Sequence, residues 1–207
     1  MGYGDITALI EYLSKDPAAD SRVQAVYVTQ DATPAGILSL KKNNIHGPKD
    51  LPGKTIGGPT FDSARKLFPI FAAAQGIDPA SVKWQTLQPG LNFSLLARGQ
   101  LEAASGFPAF QVGNMEAMGI KAEELVLINY KDYGVRLYGN GVLVNPRFLR
   151  EQPKAVAAFL AAYNRGLKET IGNPEEAIEH VAAYHAAAVV GAGDVVRARV
   201  RLCNAGD

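Results

Sequence analysis

The stretch that most constrains this chain is Gly53-Lys54-Thr55-Ile56-Gly57-Gly58-Pro59-Thr60-Phe61-Asp62-Ser63-Ala64-Arg65. It predicts a short buried strand over 54–57, a glycine turn, and a helix that starts near Asp62 and runs to about Gln75. Gly57 and Gly58 can take positive φ and let another group approach the backbone where a Cβ would clash. Beyond them Thr60, Asp62 and Ser63 can each cap a helix N-terminus, and the free amides of the first turn carry the positive end of the helix dipole. Such a turn attracts anions and hydrogen-bond acceptors. It is not a P-loop, because no Gly-Lys-Ser/Thr follows at the required gap, and it is not a G-x-G-x-x-G fingerprint. An ordinary strand-to-helix connection fits the same residues equally well, so the rest of the chain must decide.

Upstream, Asp5 can cap a helix whose apolar residues Ile6, Leu9, Ile10 and Leu13 recur at helical spacing and which ends near Asp16-Pro17. Strands are predicted over 23–29 (VQAVYVT) and 36–41 (GILSLK), with Asp31-Ala32-Thr33-Pro34 crossing between them. The helix from Asp62 contains Pro69, which removes a hydrogen bond, and stops at Gly76. There follow a strand at 82–88, a helix at 92–98 closed by Gly99, a strand at 102–106, a helix opened by Pro108 toward Gly119, and a strand at 124–129. This alternation predicts an α/β unit with a largely parallel sheet. From Tyr133 the chain turns glycine-rich and aromatic as far as Asn140, then gives a strand at 141–145. Helices follow from Pro153, with Val156, Phe159, Leu160, Tyr163 and Leu167 on one stripe, and from Pro174, with Ile178, Val181 and Ala182. A last weak helix is predicted over 195–202.

In a parallel α/β sheet, ligands collect where strand ends lead into helix N-termini. Three such junctions, at 57–63, 88–94 and 105–110, are expected to share one edge. Together they bring Gly58, Thr60, Asp62, Ser63, Asn92 and Ser105 with the rings of Phe61 and Phe107, the lining of a site for a small polar or aromatic molecule. Each residue alone also fits a core or capping role. Catalytic constellations are thin. His180 and His185 are five apart and not on one helix face, Glu176 with His180 suits a surface pair, His46 lies in a loop, and no G-x-S-x-G occurs. The single cysteine, Cys203, excludes an internal disulfide or a multi-cysteine metal site, so no cofactor or metal is expected. A net charge of +1 without a basic block argues against nucleic acid as a partner. No apolar run approaches a membrane span, and Met1-Gly2-Tyr3-Gly4-Asp5 lacks the pattern of a signal peptide. Binding without chemistry is the simpler expectation.

These residues resemble the NMT1/THI5-like branch of type II periplasmic substrate-binding proteins, which serve ABC importers. The likeness runs through Gly4-Asp5-Ile6-Thr7-Ala8-Leu9-Ile10, the crossing at 26–40, Lys49-Asp50-Leu51-Pro52-Gly53-Lys54-Thr55-Ile56-Gly57 and Gly76-Ile77-Asp78-Pro79. It continues in Leu96-Ala97-Arg98-Gly99-Gln100, Asp132-Tyr133-Gly134, Leu137-Tyr138-Gly139-Asn140-Gly141 and Asn173-Pro174-Glu175-Glu176-Ala177. The resemblance implies an α/β fold of the type II periplasmic-binding-protein kind, with two lobes joined by hinge strands that close over a ligand. Residues 1–33 would be part of lobe I and the first crossing, 34–139 lobe II, and 140–207 a mostly helical return to lobe I. Lobe I is expected to be incomplete, since family members carry a signal peptide and further strand-helix units before the Gly4-Asp5 segment. The resemblance adds Tyr133, Tyr138 and Asn140 to the ligand-binding residues and implies permease and ATPase subunits as partners in the periplasm or cell envelope. The implied ligand is a thiamine-pyrimidine precursor or related aromatic heterocycle, with sulfonate, taurine or nitrate as the alternative. A fungal pyrimidine synthase in the same branch carries a cysteine-rich motif that Cys203 alone does not supply.

Overall fold

The computed structural model describes residues 1–15 and 23–184. The chain opens with β1 (Gly2–Asp5), α1 (Ile6–Lys15), β2 (Gln24–Val28), β3 (Gly36–Leu40), β4 (Thr55–Gly58) and α2 (Ser63–Ala74). It continues through β5 (Lys83–Thr86), α3 (Leu91–Ala97), β6 (Ala103–Gly106), α4 (Pro108–Ala117), β7 (Leu125–Asn129), β8 (Asn140–Val144) and α5 (Pro146–Glu151). Two helices follow, α6 (Pro153–Gly172) and α7 (Pro174–Tyr184). The chain divides after Arg147 into two compact units. In the second, α6 and α7 pack on each other, and Phe159 stacks on Tyr163 at 6.0 Å. The expected helix over 195–202, the helix end at Asp16-Pro17, His185 and Cys203 lie outside the described residues.

The first unit holds two sheets. The smaller has the order β1-β8-β2 and is antiparallel throughout; the larger has the order β5-β4-β6-β3-β7. Within the larger sheet β4 runs parallel to β5 and β6, while β3 is antiparallel to both β6 and β7. The expectation of a largely parallel sheet therefore needs one correction. The short crossing from β2 delivers the chain to the edge where β6 and β7 end, since Gly36 pairs with Gly106 and with Asn129. Starting there, β3 has to run the opposite way.

β3 is buried along its whole length, which is why GILSL reads as a continuous apolar run. Its alternation sends Ile37 to one face of the sheet, and Leu38 and Leu40 to the other. On the first face α2 lays down Leu67, Phe68 and Phe71 over Ile37, Ile56 and Tyr130. On the second, α3 and α4 supply Leu96, Val112 and Met115. Phe71 is the hub of the first layer: its ring stacks on Tyr130 at 4.3 Å and meets Tyr133 edge-on at 5.9 Å. The predicted helix from Asp62 is α2, and it continues past Pro69, which sits on its exposed side. One strand escapes sequence reading: β1, GYGD, has no alternating pattern and exists because β8 pairs with it.

Candidate functional site

Strand registers bring the expected junctions to one rim. Gly58 lies opposite Thr86, Gly57 opposite Ala104, and Gly36 opposite Gly106, so the turns leaving β4, β5 and β6 all start from the same edge. At its centre stands Asp62, the N-cap of α2, which accepts from the Ala64 amide at 3.3 Å. Its Oδ2 accepts from the Ser105 hydroxyl at 2.5 Å. Gly58 makes that contact possible, because a Cβ there would lie 1.9 Å from Ser105 Oγ. Beneath them Asn92 is buried and donates from Nδ2 to the Ser105 carbonyl at 2.7 Å, while its Oδ1 has no protein partner. Arg65 is committed nearby: Nη1 donates to the Gly58 carbonyl at 3.2 Å and to Thr86 Oγ1 at 3.0 Å, and the guanidinium lies 4.9 Å from the Trp84 ring centroid.

The open space lies to one side of this knot. A cleft of about 380 Å³ runs between α1 and α2, lined by Asp5, Thr7, Ile10, Phe61, Ser63 and Lys66 among others. Two polar links join the helices across it: Ser63 Oγ donates to Asp5 Oδ2 at 2.6 Å, and Lys66 Nζ pairs with Glu11 Oε2 at 2.9 Å. Asp5 also accepts the Thr7 and Ala8 amides on Oδ1, at 2.7 and 3.1 Å, as the cap of α1. Phe61 stands over the cleft with 67% of its surface exposed.

Of the residues expected at the site, Phe61 and Ser63 line the cleft; Gly58, Asn92 and Ser105 are buried and Asp62 half-buried, and these four are not among its lining residues. Thr60 is exposed in the turn, and Phe107 caps α4 with its ring 6.2 Å from Phe110. Tyr138 is exposed, and its carbonyl accepts from Thr7 Oγ1 at 3.4 Å at the start of α1. The Asn140 carbonyl accepts from Thr29 N at 3.1 Å and from Gln30 N at 3.2 Å, tying the two crossings together. Tyr133 packs against Phe71 and the core layer, apart from the cleft. Sequence reasoning took Asp5 only as a cap and passed over Thr7, Glu11 and Lys66. The matching helical periodicities of α1 and α2 hold no signal that the two helices face each other.

Burial pushes the Asp62 carboxyl above its ordinary 3.8, against the opposing pull of the Ser105 and Ala64 hydrogen bonds and the Arg65 charge. Tyr130 is raised further, by burial first and then by the Asp62 charge. Since the folded carboxyl binds its proton more tightly than the unfolded one, its contribution to stability is greatest at low pH and declines as pH rises through the window above 3.8. Asp62→Asn removes that decline while keeping a good N-cap. The new amide can donate to Ser105 Oγ, whose hydroxyl then turns to the Gly57 carbonyl at 3.5 Å. Urea melts of variant and parent at pH 4 and pH 7 should show the variant gaining stability relative to the parent at the higher pH. A relative stability that falls or stays level with pH would contradict the assignment.

Two sheets linked by paired crossings, with helices on both faces of the larger one, make the type II periplasmic-binding-protein fold. The alkanesulfonate-binding protein SsuA from Xanthomonas axonopodis pv. citri shares it at TM-score 0.67 and 19% identity, over 96% of this chain and 64% of that one. The chain belongs to the NMT1/THI5-like family, whose model matches residues 8–177. Among curated relatives it is 27% identical over 183 residues to the 4-amino-5-hydroxymethyl-2-methylpyrimidine phosphate synthase of Legionella pneumophila, covering 86% of this chain and 57% of that protein. It is 28% identical over 145 residues to the formylaminopyrimidine-binding protein of Halalkalibacterium halodurans, covering 69% of this chain and 42% of that protein. The chain thus spans about half the length of these relatives.

Proposed function

We propose that this chain is a solute-capturing component of an ABC importer, working in the periplasm or cell envelope with permease and ATPase subunits. Its solute is a small aromatic heterocycle of the thiamine-pyrimidine type, which it holds and releases unchanged. The observation that carries this reading is the exposed Phe61 ring at a cleft whose lining also supplies Ser63, Thr7 and Asp5. A ring can stack there while polar groups fix its edge. The name of the Halalkalibacterium relative supports the solute class.

A second reading is favoured by the name of the Legionella relative: an enzyme of pyrimidine synthesis. Calorimetric titration with formylaminopyrimidine and hydroxymethylpyrimidine, with taurine and nitrate beside them, tests both. Saturable binding of a pyrimidine without turnover carries the importer reading; product formation would replace it with the enzyme, and preference for taurine or nitrate would replace the solute class. Phe61→Ala should weaken pyrimidine binding about tenfold through the lost stacking. Because Phe61 is largely exposed, the melting temperature should stay within about 1 °C of the parent. Equal affinity in the variant would remove Phe61 from the site.

A further inference from the structure

We infer that the cleft between α1 and α2 selects ligands that donate hydrogen bonds or carry positive charge, that it turns anions away, and that Asp5 sets this preference. The inference rests on the reading of the cleft as the solute site. The argument starts from what an anion would need there. Two helix N-termini point to this region, and such ends hold anions through free backbone amides. Here the α1 amides, and the Ala64 amide of α2, are already taken. The Ile6 amide donates to the Gly139 carbonyl at 3.0 Å, and the Thr7 and Ala8 amides donate to Asp5. On α2 the Ala64 amide donates to the Asp62 carboxyl, and the Lys66 amide to the Asp62 carbonyl at 3.0 Å. The Ser63 hydroxyl has spent its proton on Asp5.

Charge points the same way. Asp5 and Glu11 line the cleft, and among its described lining residues Lys66 is the one cation. The Lys66 charge is already balanced, because its ammonium is paired with Glu11 at 2.9 Å. Glu11 in turn is held ionised down to about 2 by hydrogen bonds from Lys15 and Lys66 and by their charges. Glu11 is shared between Lys66 and Lys15, whose ammonium lies 2.6 Å from Oε1 but is not among the lining residues. The lining itself therefore carries two carboxylates against one ammonium, and Asp5 is the carboxylate without a cationic partner there. Arg65 does not line the cleft, and its guanidinium is engaged by Gly58, Thr86 and the Trp84 face. A carboxylate offers roughly four acceptor positions. Asp5 receives three donors from the protein, which leaves capacity for a donor on the ligand. An amine, an amidine or a protonated ring nitrogen satisfies that capacity; a sulfonate, nitrate or phosphate meets a like charge.

Three probes of matched ring size separate the cases: benzamidine (cationic), benzamide (neutral donor) and benzenesulfonate (anionic), titrated into the full chain by calorimetry or ligand-observed NMR. Benzamidine should bind at least about tenfold tighter than benzenesulfonate at low ionic strength. In Asp5→Asn, which still caps α1 and keeps one acceptor oxygen, that ratio should shrink about tenfold, with benzamide losing less affinity than benzamidine. A uniform weakening of all three probes in the variant would mean that Asp5 is only structural and would overturn its assigned role. Benzenesulfonate binding as well as benzamidine to the parent would overturn the charge preference and leave solute capture standing. No binding of any probe would overturn this inference and the cleft's assignment together.

Discussion

Phe71→Ala should cost about 3–5 kcal/mol, enough to leave the first unit marginal at best. Phe71 has no exposed surface, and its neighbours are fixed by other commitments, so they cannot collapse into the space it vacates. Tyr130 is held by its hydroxyl, which donates to the Ala64 carbonyl at 3.0 Å. Tyr133 is anchored through its carbonyl, which accepts from Gln75 Nε2 at 2.8 Å. Phe68 is wedged edge-on against Trp84 at 5.4 Å. The cavity therefore stays open, and the cost sits at the upper end of the range for large-to-small substitutions. The variant also loses three ring pairings beyond the buried area, with Phe68, Tyr130 and Tyr133, each worth about 0.5–1.5 kcal/mol. Urea unfolding followed by circular dichroism measures the loss. A destabilisation under about 1 kcal/mol would mean that the aromatic layer is not the core of this unit.

The same layer shows what the sequence made legible. The helix from Asp62 to the neighbourhood of Gly76 could be read from its cap and its stop signal, and α2 spans Ser63–Ala74 with Asp62 as its N-cap. The strand at 124–129 was likewise bounded by local signals, and β7 spans Leu125–Asn129. Local chemistry determines such elements, because a cap, a proline or an apolar run acts within a few residues. Long-range pairing escaped. Nothing in GILSLK says that β3 runs against its neighbours, since direction is set by where the preceding crossing delivers the chain.

At the site, residue types suggested the rim, and the registers do bring the turns together. The cleft itself needed α1 and α2 to face each other, with 58 residues separating Asp5 from Ser63. The first turn of α2, read as an attractor of anions, carries its own carboxylate instead. Asp62 as a competent N-cap was the very signal that the amides would be occupied, and only the hydrogen bonds decide whether a cap closes a site or leaves it open.

Gly36→Ala should be among the most damaging single-methyl changes, because the clash it creates is with backbone. A Cβ at Gly36 would lie 2.4 Å from the Ile128 carbonyl oxygen, 3.0 Å from Pro108 Cγ and 3.1 Å from Asn129 Cα. Gly58→Ala offers the contrast. Its nearest obstacle, Ser105 Oγ at 1.9 Å, is the end of a side chain that can turn away at the expense of the Asp62 hydrogen bond, a loss of about 1–3 kcal/mol. Ile128 O has no such freedom: it belongs to β7, which is paired with β3 over five residues. Relief requires β3 and β7 to part at the rim, which also strains the bond from Tyr130 N to the Ala35 carbonyl at 3.0 Å. We expect a loss of about 3 kcal/mol or more, or roughly 6–12 °C in melting temperature. The displacement would also reach the rim, because Pro108 opens α4 beside Phe107. Thermal melts of Gly36→Ala and Gly58→Ala side by side test this ordering. If Gly58→Ala proves the more destabilising of the two, the β3–β7 approach is looser than the structure has it, and the rim is held chiefly by the Asp62–Ser105 pair.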